Sequence, residues 1–167
     1  MSDAKSVQKL AGEKEIYETT LNIPHPYEDG MAESWIGTHI EHFKEKKSLT
    51  LAIINKKDKQ LIGAIGLSFM RYNKAEIGYW IGKDFWDQGF CTEAGKALVD
   101  YAFTALGMNK IIGRHLFINP SSGRVMQKIG MRKEGTFEDD VLKDSYYHDI
   151  VYWGITFATW TELRDDK

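Results

Sequence analysis

The sequence predicts a mixed α+β domain, a central and mostly antiparallel sheet with helices on both faces. Two observations predict it. Apolar residues keep helical spacing up to Phe43, turn to strand-like runs between Leu49 and Ile81, and then change period again, giving the order ααβββαβαββ. That order joins an antiparallel meander to a parallel crossover, which requires a sheet covered on two sides. The second observation is size: 167 residues, 43% of them apolar and with five Trp, eight Tyr and eight Phe, suit one domain spanning 1–167.

Each element has its own signal. Val7, Leu10 and Ala11 mark a first helix beginning near residue 3, with Ser2 or Asp3 as cap. The segment LNIPHPYEDG stops it, and Met31, Trp35, Ile36, His39, Ile40 and Phe43 mark a second helix ending in EKKS. Leu49–Ile54 and Gln60–Met70, joined by the turn NKKDK, form a hairpin, and Ala75–Ile81 adds a third strand. In that strand Glu76, Gly78 and Trp80 face one side while Ile77, Tyr79 and Ile81 face the other. Ala94, Leu98, Tyr101, Ala102 and Ala105 share one face of a helix stopped by Gly107. Ile111–Ile118, the turn Asn119-Pro120-Ser121-Ser122 and a short helix ended by Gly130 lead into the next strand and read together as a βαβ unit. Two strands, Arg132–Val141 and Tyr146–Phe157, close the chain around the turn LKDS.

Composition removes several functions. A net charge of −2 does not suit a duplex binder, so no nucleic-acid partner is expected. Cys91 is the only cysteine, which excludes an intramolecular disulfide and a multi-thiolate zinc site and fits a reducing cytoplasm. With no basic-then-apolar leader and no run of about 18 apolar residues, no membrane partner is expected. His39 and His42 stand three apart without an HExxH pattern, and no metal is expected.

The stretch KDFWDQGFCTEAGKALVDYAF carries the chemistry. A Gly-containing loop runs straight into the best helix, whose free N–H groups make an anion cradle. A P-loop does not fit, because Gly89 and Gly95 enclose five residues and Lys96 precedes Ala97. The dinucleotide fingerprint GxGxxG is absent as well.

Read with their neighbours, AEIGYWIGKDFWDQGFCTEA and INPSSGRVMQKIGM resemble the GNAT N-acetyltransferases, specifically the RimJ/RimL-type branch that acetylates protein N-termini and some small amines. The motifs fall in that branch's order over Glu76 to Met131, departing from it at Asp87, Cys91 and Met131. The resemblance implies a GNAT fold whose sheet splays at an acetyl-CoA site, with acetyl-CoA as co-substrate and no metal. It also implies a strand before the first helix, and this chain starts inside that helix, so a first edge strand is expected to be missing.

Carried over residue by residue, the resemblance gives the pyrophosphate to the backbone amides of Gln88, Gly89, Phe90, Cys91 and Thr92. It gives the pantetheine arm to the backbone of Trp80 and Ile81, a polar wall to Asn119, and the 3′-phosphate to Arg124. Glu76 is the candidate base, acting through water, and Ser122 the proton donor beside the thioester sulfur, since Met126 fills the slot where many relatives carry a tyrosine. The expected acceptor is a protein N-terminal α-amine. The alternatives are a small amine (polyamine, amino acid or antibiotic) and a CoA-binding sensor without turnover. A homodimer is compatible with the family.

Overall fold

The computed structural model describes residues 2–165. Four short helices, α1 (Ala4–Ala11), α2 (Lys14–Thr19), α3 (Met31–Gly37) and α4 (His39–Lys44), precede three strands, β1 (Ser48–Ile54), β2 (Leu61–Met70) and β3 (Lys74–Ile81). A 3-10 turn at Lys83–Phe85 leads to α5 (Phe90–Thr104), followed by β4 (Lys110–Leu116), α6 (Pro120–Lys128), β5 (Arg132–Lys143), β6 (Tyr146–Thr156) and α7 (Phe157–Asp165). The strands form one sheet in the order β1-β2-β3-β4-β6-β5. All neighbours are antiparallel except β3 and β4.

Strand alternation sorts the core onto two faces. On one, Ile65, Leu67, Ile77 and Ile111 pack beneath Leu98, Val99 and Phe103 of α5 and Met126 of α6. On the other, Ala64 and Trp80 pack beneath Val7, Leu10 and Ala11 of α1 and Ala32 of α3. Side-chain turn chemistry sets the β1–β2 reversal: Asn55 Oδ1 accepts from Lys57 N at 3.1 Å and Asp58 Oδ1 from Gln60 N at 3.1 Å.

Four expectations change. The two predicted N-terminal helices are each broken, at Gly12–Glu13 and at Thr38, whose Oγ1 bonds back to Trp35 O at 2.8 Å. Apolar spacing runs across both breaks, so periodicity does not reveal them. The predicted βαβ unit β4–α6–β5 is a split one, its two strands parallel but with β6 between them; the crossover that joins adjacent parallel strands is β3–α5–β4. The last strand ends at Thr156, and α7 follows with its polar sequence held by Trp160 against Phe103. Among the described residues no strand precedes β1, which is a sheet edge. Nor is any helix among them long and apolar enough to cross a membrane.

Candidate active site at the parting of two strands

The site begins where backbone pairing stops. β3 and β4 pair only from Lys74–Lys110 to Ile77–Gly113. Beyond that point β3 stays with β2 as far as Ile81, β4 stays with β6 as far as Leu116, and the two part. A cleft of about 730 Å³ opens there, walled by both strands, the starts of α5 and α6, the α2–α3 loop and α3–α4.

Which β3 groups face the gap follows from alternation along the strand. Gly82 N donates to Ile62 O of β2 at 2.9 Å. Two residues earlier Trp80 points the same way, its carbonyl lying where a Cβ on Gly63 would sit. The open edge therefore belongs to Tyr79 and Ile81, and the Ile81 carbonyl already accepts the Trp86 indole N–H at 2.8 Å. This corrects the expectation for Trp80, whose backbone is turned to β2 and whose side chain is in the α1 core. An extended ligand arm can add to the edge as a further strand would.

At the far end of the gap Gly89 caps α5 with φ +83°, a conformation that strains any residue with a Cβ, and its carbonyl accepts from Glu93 N at 3.0 Å. The N–H groups of Phe90, Cys91 and Thr92 then start a 15-residue helix without carbonyls behind them. Together with the helix dipole they suit a pyrophosphate. The Gln88 side chain does not join them, since its amide donates to Asp84 O at 2.9 Å. The half-buried Cys91 thiol is pushed up to about 12 by desolvation, so it stays a neutral thiol. Arg124 is exposed on the rim and donates to Ser121 Oγ at 2.7 Å, which leaves the rest of its guanidinium for a phosphate.

Asn119 lines the cleft with its amide already committed. Its Oδ1 caps α6 by accepting from Ser122 N at 3.2 Å, and its Nδ2 donates to Thr19 O at 3.0 Å, tying the loop to α2. Met126 is buried against Gly113, and its thioether has no proton to donate. Ser122 instead meets a phenol from β3: the Tyr79 hydroxyl lies 2.9 Å from both the carbonyl and the Oγ of Ser122. Burial moves that phenol upward, so it stays protonated.

On the opposite face of the sheet Glu76 Oε1 accepts from Arg114 Nε at 2.7 Å. Neither residue is freely solvated, their side chains being 27% and 31% exposed. His39 also borders the cleft, its ring edge-on to Trp35 at 4.5 Å, and burial lowers its pKa. The sequence reading overlooked Tyr79, whose alternation placed it with the core, and Arg114, an unremarked residue of a predicted strand. Only the three-dimensional pairing of β3 with β4 brings Arg114 to Glu76. Among the described residues no group of His, Cys, Asp and Glu is arranged to hold a metal.

A model of the acetyltransferase (GNAT) domain matches residues 1–132. The uncharacterised N-acetyltransferase YoaA of Bacillus subtilis (strain 168) is 32% identical over 124 residues, 73% of this chain and 70% of that protein. The ribosomal protein uS5-alanine N-acetyltransferase of Escherichia coli (strain K12) is 24% identical over 151 residues, 89% and 77% of the two chains. A crystal structure of spermidine N-acetyltransferase from Vibrio cholerae, with CoA and spermine, shares the fold at a TM-score of 0.80 and 20% identity, covering 96% and 93%.

Proposed function

Because the chain belongs to the GNAT acetyltransferase family and is an acetyl-CoA-dependent N-acetyltransferase, we propose that its acceptor is the α-amine at the N-terminus of a protein. One observation carries this choice of acceptor: the cleft holds no surplus of negative charge. Its carboxylates are Glu76 and Asp87, against Arg114, Arg124 and Lys128, and Arg114 is bonded directly to Glu76. A polyamine brings several positive charges, and they would need carboxylates that this cleft lacks. Trp35 and Ile23 at the cleft wall suit an apolar peptide end better.

Chemistry points the same way. An α-amine has a pKa near ~8, so an appreciable fraction is neutral near pH 7.5, whereas a lysine-like amine near ~10.4 is almost wholly charged. Any side-chain carboxylate is a modest base, adequate for the first and poor for the second.

In this reading the backbone N–H groups of Gln88, Gly89, Phe90, Cys91 and Thr92 hold the pyrophosphate, Arg124 meets the 3′-phosphate, and the edge groups of Tyr79 and Ile81 hold the pantetheine arm. The acetyl group then lies where β3 and β4 part. The amine enters from the Glu76 face and loses its proton to Glu76 through water, and Ser122 donates a hydrogen bond to the departing sulfur from the other face. Orientation between two walls supplies much of the rate.

The test is calorimetric titration of acetyl-CoA, followed by thiol-release assays with N-terminal peptides and with spermidine. Release with peptides supports the proposal. Release with spermidine alone overturns the acceptor, and binding without release on any acceptor overturns turnover itself, leaving a CoA sensor.

A further inference from the structure

A carboxylate that serves as a base needs a free lone pair where the proton arrives, and a guanidinium beside it readily takes both oxygens, because its planar fork matches a carboxylate. At Glu76 it takes one. Arg114 donates through Nε to Oε1 at 2.7 Å, and Oε2 is not part of that bond. The reason lies one strand further on. Tyr152 of β6 stands directly opposite Arg114 in the β4–β6 register, on the same face of the sheet, and its hydroxyl oxygen takes a hydrogen bond from the guanidinium. The phenol's own proton goes elsewhere, to Asp140 Oδ2 at 2.9 Å. Asp140 reaches it from an interruption in β5, where three residues between Phe137 and Val141 lie opposite one residue of β6, Asp149. Asp149 pins that segment by accepting from Asp139 N at 3.0 Å, and the Tyr152 ring is fixed edge-on to Phe137 at 4.7 Å.

We infer that Tyr152 is a positioning residue for acetyl transfer: it draws the Arg114 guanidinium aside, so that Glu76 is held through Oε1 alone and Oε2 is left for the water that takes the amine proton. The inference rests on the reading of Glu76 as the base. Without the phenol oxygen the guanidinium can turn its fork onto Glu76 and bind both oxygens, and the water must then break one of those bonds before Oε2 accepts a proton. Each proton has one destination. The amine nitrogen bonds to the acetyl carbon and loses a proton to the water, the water gives one to Oε2, and the sulfur leaves with the electron pair of the broken carbon–sulfur bond. Arg114, Tyr152 and Asp140 neither gain nor lose a proton. Burial, and after it the bond to Asp140, move the phenol upward, which keeps it protonated and anchored to that carboxylate.

The test is a double-mutant cycle on Tyr152→Phe and Arg114→Gln, with Glu76→Gln alongside, reading kcat and the KM for acetyl-CoA and for whichever acceptor, peptide or spermidine, gives thiol release. Tyr152→Phe keeps the ring on Phe137 and removes only the hydroxyl. We expect it to lower kcat roughly tenfold, the factor carried by one hydrogen bond to a charged group, while both KM values stay within about twofold. Because Tyr152 acts through Arg114, the double variant should be no slower than Arg114→Gln alone. No turnover in the parent chain, or Glu76→Gln at the full rate, fails the reading of Glu76 and the inference with it. With Glu76→Gln slow, four results overturn the role of Tyr152 alone: a fully active Tyr152→Phe, a loss that lies in KM, a loss that persists beside Arg114→Gln, or an Arg114→Gln chain without turnover. If Tyr152→Phe does not fold, Asp140→Ala, which frees the phenol from its exposed anchor, takes its place in the cycle and is read by the same criteria.

Discussion

Replacing Arg114 with Gln separates the two acceptor classes. In the parent chain Arg114 Nε lies 2.7 Å from Glu76 Oε1, so an approaching ammonium meets a carboxylate whose charge is already matched. Removing the guanidinium leaves one uncompensated negative charge at the parting of β3 and β4. A cationic amine at about 4 Å gains roughly 1 kcal/mol from that charge in a water-like medium and roughly 4 kcal/mol at an effective dielectric of about 20. With both side chains about a third exposed or less, an intermediate value of about 2 kcal/mol is appropriate, or roughly 30-fold. The assay is the ratio of kcat/KM for spermidine to that for an N-terminal peptide, measured by thiol release at low and high salt. The ratio should rise by that factor and fall back as salt is added. Loss of the ion pair itself should cost only about 0.5–1 kcal/mol of stability, since the pair is partly solvated. An unchanged ratio in folded protein would refute the argument that charge balance selects the acceptor.

Three further outcomes follow from geometry and ionisation. Gly89→Ala should lose about 1–2 kcal/mol of stability in urea melts because φ is +83° there. Its new Cβ would meet no protein atom within 4 Å, so a weaker acetyl-CoA affinity by calorimetry reports a ligand in that space. Cys91, the only thiol, should react with iodoacetamide far more slowly in the folded chain than in urea. A pKa raised from 9.0 to about 12 leaves about a thousandfold less thiolate, and alkylation as fast as in urea would contradict that. His115 is buried and burial lowers its pKa below the ordinary 6.5, so the unfolded chain takes up its proton first. Stability from this residue is therefore full above pH 6.5 and declines as the pH falls through the folded pKa; urea midpoints should drop there, and drop less in His115→Gln.

Sequence reading reached the sheet, its helical covers and the glycine turn that opens α5 because each leaves a local mark: strand alternation, helical spacing, and a glycine before a helix. What it missed depends on partners distant in the chain. Thr38 breaks a helix inside an unbroken apolar stripe, and α7 is too polar to show a buried face. Alternation placed the side chains of β3 correctly, but backbone direction depends on the neighbouring strand, which is why Trp80 was expected at an edge that Tyr79 and Ile81 hold. Arg114 and Glu76 are 38 residues apart and meet only through the register of β3 and β4. Asn119 was legible as a turn residue, whereas its bond to Thr19 spans 100 residues.

The short seam between β3 and β4 makes the sheet two half-sheets, β1–β2–β3 and β4–β6–β5, sewn together over four residue pairs. Each half has longer ladders of its own, interrupted by register shifts at Ile53/Ile54, Lys133/Gly135 and Phe137/Val141. The seam is the shortest ladder in the sheet, and α5 spans the crossover between β3 and β4. A substrate arm lying along Tyr79 and Ile81 would lengthen the seam and brace the two halves. Any substitution that let the strands zip past Ile77 and Gly113 would close the binding site by completing the sheet.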